Sequence, residues 1–427
     1  MADYPGVRGI GQVDGLEGAL AAKVALHRQS IVMMGDSITA QNGTPGGTTS
    51  NGTTFLHNAM GWWHWANARL GQRFQWLGNY AVGGSTTTQQ LAQLPSVLSS
   101  DADYVLWLGG ANDLAVIPLE SMNTINALAA GYAQIRAAGK VLIACTFYRS
   151  STQTSAEQAA AQAKINAFIR KYCRENPDVI LWDVAPLMTV PLTSTARTDY
   201  CMLEVGGSYV HPNHAGAQAM GASLAALLAP ITRPLSPLIA TNDDPFNLIS
   251  NGLFHGSVPS GWGSSNGSGA APPGVVSRVN RTDGGIGGLY QAALAGTGSD
   301  SGKINLFASN TNVTSATHGG HVIIPRCYFE ADAASWNNIK QVRIWAQYLG
   351  ASGMSVAIQA DGALGSLSSA LFPSSCVLQG PPITVPSSGV TRVQFFAEIE
   401  SANTAAASAG TIRIGQAEVH DLTACGY

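Results

Sequence analysis

Ile31-Val32-Met33-Met34-Gly35-Asp36-Ser37-Ile38-Thr39 sets the reading of this chain. Four apolar residues in a row, ended by glycine, read as a strand buried on both faces. Helices cover such strands on either side of a parallel sheet. The Gly35-Asp36-Ser37 that follows is a tight strand-to-helix turn, and it leaves Ser37 at the strand's carboxyl end. Open α/β sheets place ligands at that edge, and hydrolases place a nucleophilic serine there. Alone, the turn is common, and Ser37 serves equally well as a helix cap.

Working outward, further apolar runs occur at Phe74–Leu77, Tyr104–Leu108, Val141–Thr146 and Val179–Trp182. Helical stretches fall at about 61–71, 88–98, 121–138, 155–174 and 214–229. Strands alternating with helices specify a doubly wound, flavodoxin-like α/β domain over 28–230, behind an N-terminal segment 1–27. Pro230, Pro234 and Pro237, then Asn242-Asp243-Asp244-Pro245, break the alternation, so 231–245 reads as a linker. Beyond it, gaps rich in Gly, Ser and Asn separate short alternating runs: Lys303–Phe307, His321–Phe329, Gln341–Tyr348, Ser355–Gln359, Val390–Ile399 and Thr411–Val419. This texture reads as an all-β sandwich of jelly-roll type over 246–427.

Composition agrees with two domains, since 427 residues exceed one ordinary core. Hydrophobic residues at 45% support packed cores, whereas charged residues reach only 11%, against about 25% in ordinary globular chains. Such a surface rests on small polar residues, which suits an extracellular or virion protein better than a cytosolic enzyme. A net charge of -3 gives no footprint for nucleic acid. No apolar run is long enough to span a membrane, and the first residues, Met1-Ala2-Asp3-Tyr4-Pro5-Gly6, do not form a standard secretory signal. The expected location is therefore extracellular or virion, such as a phage tail, with the cytoplasm as alternative. Cys145, Cys173, Cys201, Cys327, Cys376 and Cys425 form no CxxC-type pairs. They point to buried free thiols, with one disulfide in either half as the alternative, and away from zinc. No metal or cofactor is called for.

Ester hydrolysis by serine needs a base for the hydroxyl proton, an acceptor that orients the base, and donors for the oxyanion. After the second strand comes Asn79-Tyr80-Ala81-Val82-Gly83-Gly84-Ser85-Thr86, where glycine lets a backbone N–H approach a substrate oxygen. After the third comes Leu108-Gly109-Gly110-Ala111-Asn112-Asp113, whose asparagine amide is a second donor or simply a turn residue. Before the last helix of this domain stands Val210-His211-Pro212-Asn213-His214, with His211 exposed ahead of the helix start. Trp62-Trp63-His64-Trp65 reads as core, with Trp63 as a residue that could flank an acyl or sugar site. The polar loop Gln41–Thr54 borders the nucleophile turn and is expected to help set specificity.

Together the four blocks resemble the SGNH hydrolases, also called GDSL-type esterases and lipases, over about half the chain. The resemblance implies Ser37 as nucleophile, His211 as general base, and an oxyanion hole of the Ser37 and Gly84 N–H groups with the Asn112 side chain. The family usually carries an aspartate three residues before its histidine. Here that position is Ser208. Three readings follow: a Ser–His dyad, another carboxylate (Glu204 or Asp199 nearest in sequence), or a weakened domain. The segments Asn247–Phe254, Pro259–Trp262 and Thr411–Val419 resemble carbohydrate-binding jelly rolls, which implies glycan binding through exposed aromatics. A structural or oligomerisation module is the alternative, because a sandwich alone does not define function. The expected activity is deacetylation of a cell-surface polysaccharide by a chain that could act as a homo-oligomer. The rivals are a long-chain acyl esterase and a non-catalytic glycan-binding or virion protein.

Overall fold

The computed structural model describes residues 29–43, 53–55, 60–115, 121–191, 195–232, 238–257, 259–266, 274–296, 302–332, 336–361, 375–401 and 407–425. The N-terminal segment and most of the loop expected to border the site, residues 44–52, lie outside them.

The first domain contains strands β1 (Gln29–Gly35), β2 (Thr53–Phe55), β3 (Phe74–Asn79), β4 (Tyr104–Leu108), β5 (Val141–Cys145), β6 (Ile180–Trp182), β7 (Cys201–Leu203) and β8 (Tyr209–Pro212). Its helices are α1 (Ser37–Ala40), α2 (Trp62–Arg69), α3 (Thr87–Leu91), α4 (Leu94–Leu98), α5 (Ser121–Ala137), α6 (Ala156–Glu175), α7 (Ala185–Met188) and α8 (His214–Leu228). One sheet runs β3-β1-β4-β5-β6 with every pair parallel. Counting only its own strands, that is the doubly wound 2-1-3-4-5 order, whose switch point lies between β1 and β4. Ile31 to Met34 and Val105 to Leu108 are fully buried, as continuous apolar runs require. Each such side chain contributes roughly 1.5–3 kcal/mol on burial. The stretch read as one helix at 88–98 is two, broken at Ala92-Gln93, with Pro95 in the first turn of α4.

Trp62, Trp63 and Trp65 are all buried on α2. Trp62 packs against Trp182, ring centroids 5.0 Å apart, and Trp63 meets Phe74 edge-on at 5.6 Å. Trp63 is therefore core and does not flank a substrate.

The second domain is built from β9 (Trp262–Asn266), β10 (Gly274–Asn280), β11 (Gly288–Gly296), β12 (Lys303–Asn310), α9 (Ser315–His318), β13 (Val322–Ala331), β14 (Ile339–Leu349), β15 (Met354–Asp361), β16 (Ser375–Gln379), β17 (Ile383–Thr384), β18 (Arg392–Ser401) and β19 (Ser408–Asp421). One sheet runs β10-β11-β19-β13-β16, with β17 on β13, and the other β15-β14-β18-β12-β9, all antiparallel. Their apolar faces share one core that includes Ile304, Ile344, Phe395, Ile412 and Ile414, consistent with a β-sandwich. All six cysteines are free.

Within the stretch read as linker, Ile239 is buried and its carbonyl accepts a 2.8 Å bond from Gln416 Nε2. Residues from Ile239 onward are thus docked on β19. The two domains touch at defined points. Gln72 Nε2 donates to the Val377 carbonyl at 2.9 Å, α2 lies against β16, and β2 extends the second sheet by pairing in parallel with β15.

Candidate active site

β1 ends at Gly35, where a Cβ would lie 2.1 Å from the Leu108 carbonyl, so only glycine lets β1 and β4 run this close. Asp36 then caps α1, its Oδ1 accepting from the Ile38 N–H at 3.0 Å. The carboxyl is buried, and desolvation, with a smaller push from Asp113, raises its pKa to about 7. Ser37 opens the helix half-buried, and its hydroxyl makes no hydrogen bond among the described residues. Catalytic hydrogen bonds are often long before substrate binds.

The β3 loop is fastened to this turn. Asn79 Nδ2 donates to the Thr39 and Gly43 carbonyls at 3.0 and 2.7 Å, and Val82 N–H to the Gly35 carbonyl at 3.1 Å. Gly83 sits beside the serine: a Cβ there would lie 3.8 Å from Ser37 Cβ. Gly84 holds φ +77°, a left-handed value that costs a side-chain-bearing residue energy and that glycine adopts freely. Asn112, after β4, donates through Nδ2 to the Ser85 carbonyl at 3.1 Å, which leaves it one further amide proton. The three oxyanion candidates are thus gathered on adjacent loops.

Two residues without a sequence-assigned role fix these loops. Asp113 accepts from Thr87 N–H at 3.0 Å, Thr87 Oγ1 at 2.6 Å and Thr124 Oγ1 at 2.8 Å. Buried Gln90 donates to the Ser85 carbonyl at 3.1 Å and accepts from the Trp107 indole at 2.7 Å. Asp113 stands next to Asn112 in the sequence, but nothing local to it announces donors at positions 87 and 124.

His211 arrives on β8, which pairs with β7 in a short antiparallel hairpin. The turn between them contains Gly206 and Gly207, both at positive φ, and is closed by Glu204 N–H to the Ser208 carbonyl at 2.9 Å. The turn folds Glu204 back onto the histidine. Its Oε1 accepts from the His211 backbone N–H at 3.2 Å and meets His211 Nδ1 in a short contact. Both side chains keep about a quarter of their surface exposed. Ser208 is part of the turn. Asp199 is engaged elsewhere, in a bidentate pair with Arg197. Tyr148, beyond β5, donates to the Val210 carbonyl at 2.8 Å and steadies β8. Burial holds its phenol well above the ordinary range, so it stays a donor. β8 in turn lies against α1, the helix that begins at Ser37.

A Gly-Asp-Ser turn, two donor loops and a carboxylate-bound histidine share the carboxyl edge of a parallel sheet. The model of the GDSL-like Lipase/Acylhydrolase family matches residues 33–219, which makes this stretch a domain of that class. No curated protein matches the chain. Among similar solved structures are a GDSL-like lipase from Bacteroides thetaiotaomicron, 16% identical, covering 51% of this chain and 98% of its own, TM-score 0.37. A lipase/acylhydrolase from Enterococcus faecalis is 21% identical over 49% of this chain and 98% of its own, TM-score 0.37. An acetyl xylan esterase, AlAXEase, is 17% identical over 46% and 98%, TM-score 0.35. Among the described residues no helix is long and apolar enough to cross a membrane.

Proposed function

We propose that the protein is a serine ester hydrolase that removes short acyl groups, acetyl above all, from a cell-surface polysaccharide. The observation that supports this most directly is the Glu204 carboxylate against Nδ1 of His211, on the strand that packs on the helix begun by Ser37. In this reading Glu204 holds the proton on Nδ1, so Nε2 accepts the proton of Ser37 Oγ. Oγ bonds to the ester carbonyl carbon, and the carbonyl electron pair moves to oxygen. The Ser37 and Gly84 N–H groups and the Asn112 amide meet that charge, and each such donor is worth about 100- to 1,000-fold in rate. His211 passes its proton to the departing sugar oxygen as the carbon–oxygen bond breaks. Water then loses a proton to His211 and attacks the acyl carbon, and Ser37 leaves with that proton. No cofactor enters.

The sugar part of the reading rests on the weakly charged surface and on the sandwich. On the face opposite Ile344 and Phe395, Trp345 stacks on Phe396 with centroids 4.6 Å apart, and Phe307 adjoins at 5.8 Å. Trp345 is itself buried under the Arg343 guanidinium, so the partly exposed Phe307 and Phe396 are the rings of this row that could meet a sugar. A virion or phage-tail setting, and self-association, fit the same composition. A longer acyl chain is the second reading, because Val82, Leu203 and Val205 expose apolar side chains on the loops that carry the site.

A p-nitrophenyl ester series from acetate to octanoate tests both readings. Acetate should turn over fastest, and preference for octanoate would reverse the substrate assignment. Ser37→Ala should lose at least about 1,000-fold in kcat and all fluorophosphonate labelling. Glu204→Gln should lose roughly 100- to 10,000-fold, since it misplaces the imidazole proton. Parent-like turnover in Ser37→Ala rejects the mechanism.

A further inference from the structure

Far along the chain from Ser37, the sandwich gathers a second group of chemistry-bearing side chains. α9 ends at His318, and Gly319-Gly320 returns the chain at once to His321, whose N–H donates to the His318 carbonyl at 2.9 Å. Both glycines are required. A Cβ on Gly319 would lie 2.5 Å from the Ser315 carbonyl, and Gly320 holds φ +87°. The turn is the type II form, which needs glycine at its third position. It puts two imidazoles side by side, ring centroids 5.1 Å apart.

Asp421, at the end of β19, faces them. Its Oδ2 lies 2.7 Å from His321 Nδ1, and its Oδ1 accepts the Ala424 N–H at 3.0 Å. The carboxylate is almost fully buried, and its ion-pair partner among the described residues is the His321 imidazole. A buried carboxylate in that position favours a cation. One donor atom from each of His318, His321 and Asp421 lies within 4.8 Å of the other two.

The remaining polar contacts prepare the rings as ligands. Thr317 Oγ1 gives its proton to the Asn312 carbonyl at 2.7 Å, so it accepts from His318 Nδ1 at 2.8 Å and leaves Nε2 with a free lone pair. Neutral imidazole is the ligand form.

We infer that His318, His321 and Asp421 form a binding site for a divalent transition-metal ion of the zinc class. Two imidazoles and one carboxylate match the donor preference of Zn2+, Co2+ and their neighbours, whereas Ca2+ and Mg2+ prefer all-oxygen sets. The ion would tie the β12–β13 connection to the end of β19, a bond between segments about a hundred residues apart. Its role in this place is to staple the sandwich, since Ser37 and its partners lie in the other domain.

The full-length protein, stripped with chelator and then titrated with Zn2+, should bind it and melt at a higher temperature. Excess Ca2+ should not compete. The double variant His318→Gln/His321→Gln keeps polar atoms and similar size, and should bind Zn2+ at least about 10-fold more weakly. With Co2+ as probe, the parent should show a ligand-field spectrum that Asp421→Asn alters, a readout that does not depend on the double variant folding. Absence of Zn2+ binding by the parent, parent-like affinity in the folded double variant, displacement by Ca2+, or a Co2+ spectrum indifferent to Asp421 each overturns the assignment.

Discussion

At the scale of single residues, Asp36 and Glu204 show what one carboxylate does in two settings. Glu204 is partly solvated and spends its charge on His211. Asp36 is fully buried, with its pKa raised to about 7, so it prefers to be protonated when folded. A pKa above the unfolded value near 3.8 means folding favours the bound proton. The stabilising effect is complete below that value and is lost as pH rises through about 7. By pH 8 the ionised form costs the fold up to about 4 kcal/mol, at 1.4 kcal/mol per unit. Asp36→Asn keeps an oxygen for the Ile38 N–H and removes the ionisation. Thermal melts should show the variant gaining on the parent steadily from pH 5 to about pH 7 and levelling off above it. A difference that stays flat with pH would mean that burial does not govern Asp36.

At the scale of elements, the site is a set of loops pinned to strand ends, and Asp113 is the pin between the β3 and β4 loops. Its carboxylate takes three donors, and Asn offers one oxygen in place of two. Asp113→Asn should therefore cost roughly 1–3 kcal/mol of stability. In the proposed mechanism it should also lower kcat more than it changes KM, because Gly84 and Asn112 would lose their alignment with the oxyanion rather than with the ground-state ester. Unchanged kcat and Tm would show that the loops hold their place without it. The same elements mark what sequence could reveal. The central parallel strands β1, β4 and β5 were legible because burial on both faces writes itself as unbroken apolar runs, the edge strands β3 and β6 as shorter runs that are only partly buried, and the site loops because each follows such a run. The hairpin β7–β8 was not. It is two short strands around a glycine turn, with no periodicity to read, and it decides which acid reaches His211. Counting three residues back finds Ser208, which lies in the turn, whereas folding back finds Glu204 seven residues away. β9 and β10 were missed for a related reason: their partly exposed residues, with Gly and Ser among them, carry no clear alternation. The cluster of His318, His321 and Asp421 joins residues about a hundred positions apart, which only the sandwich brings together.

At the scale of the molecule, the question is whether the two domains act as one body. Gln72 is the residue to ask, because it spends conformational energy at the join. It sits at φ +60°, which costs a side-chain-bearing residue about 1 kcal/mol, yet its side chain is buried. Its Oε1 accepts from Asn67 Nδ2 at 2.9 Å and its Nε2 donates to the Val377 carbonyl at 2.9 Å, on β16 at the edge of a sandwich sheet. Such an edge exposes unpaired backbone groups, and covering them is one way folds manage it. Gln72→Ala keeps the backbone cost and loses both bonds, and should destabilise by roughly 2–3 kcal/mol. Gln72→Gly also loses the bonds but relieves the left-handed strain, so it should fall between Ala and the parent. If the domains are energetically coupled through this contact, calorimetry of Gln72→Ala should resolve separate hydrolase-domain and sandwich melts where the parent shows them closer together. The order parent, Gly, Ala in melting temperature separates a role of the side chain from one of the backbone. If Gly proves the most stable of the three, the bond to Val377 does not hold the domains together, and their contact rests on the packing of α2 against β16 and the pairing of β2 with β15.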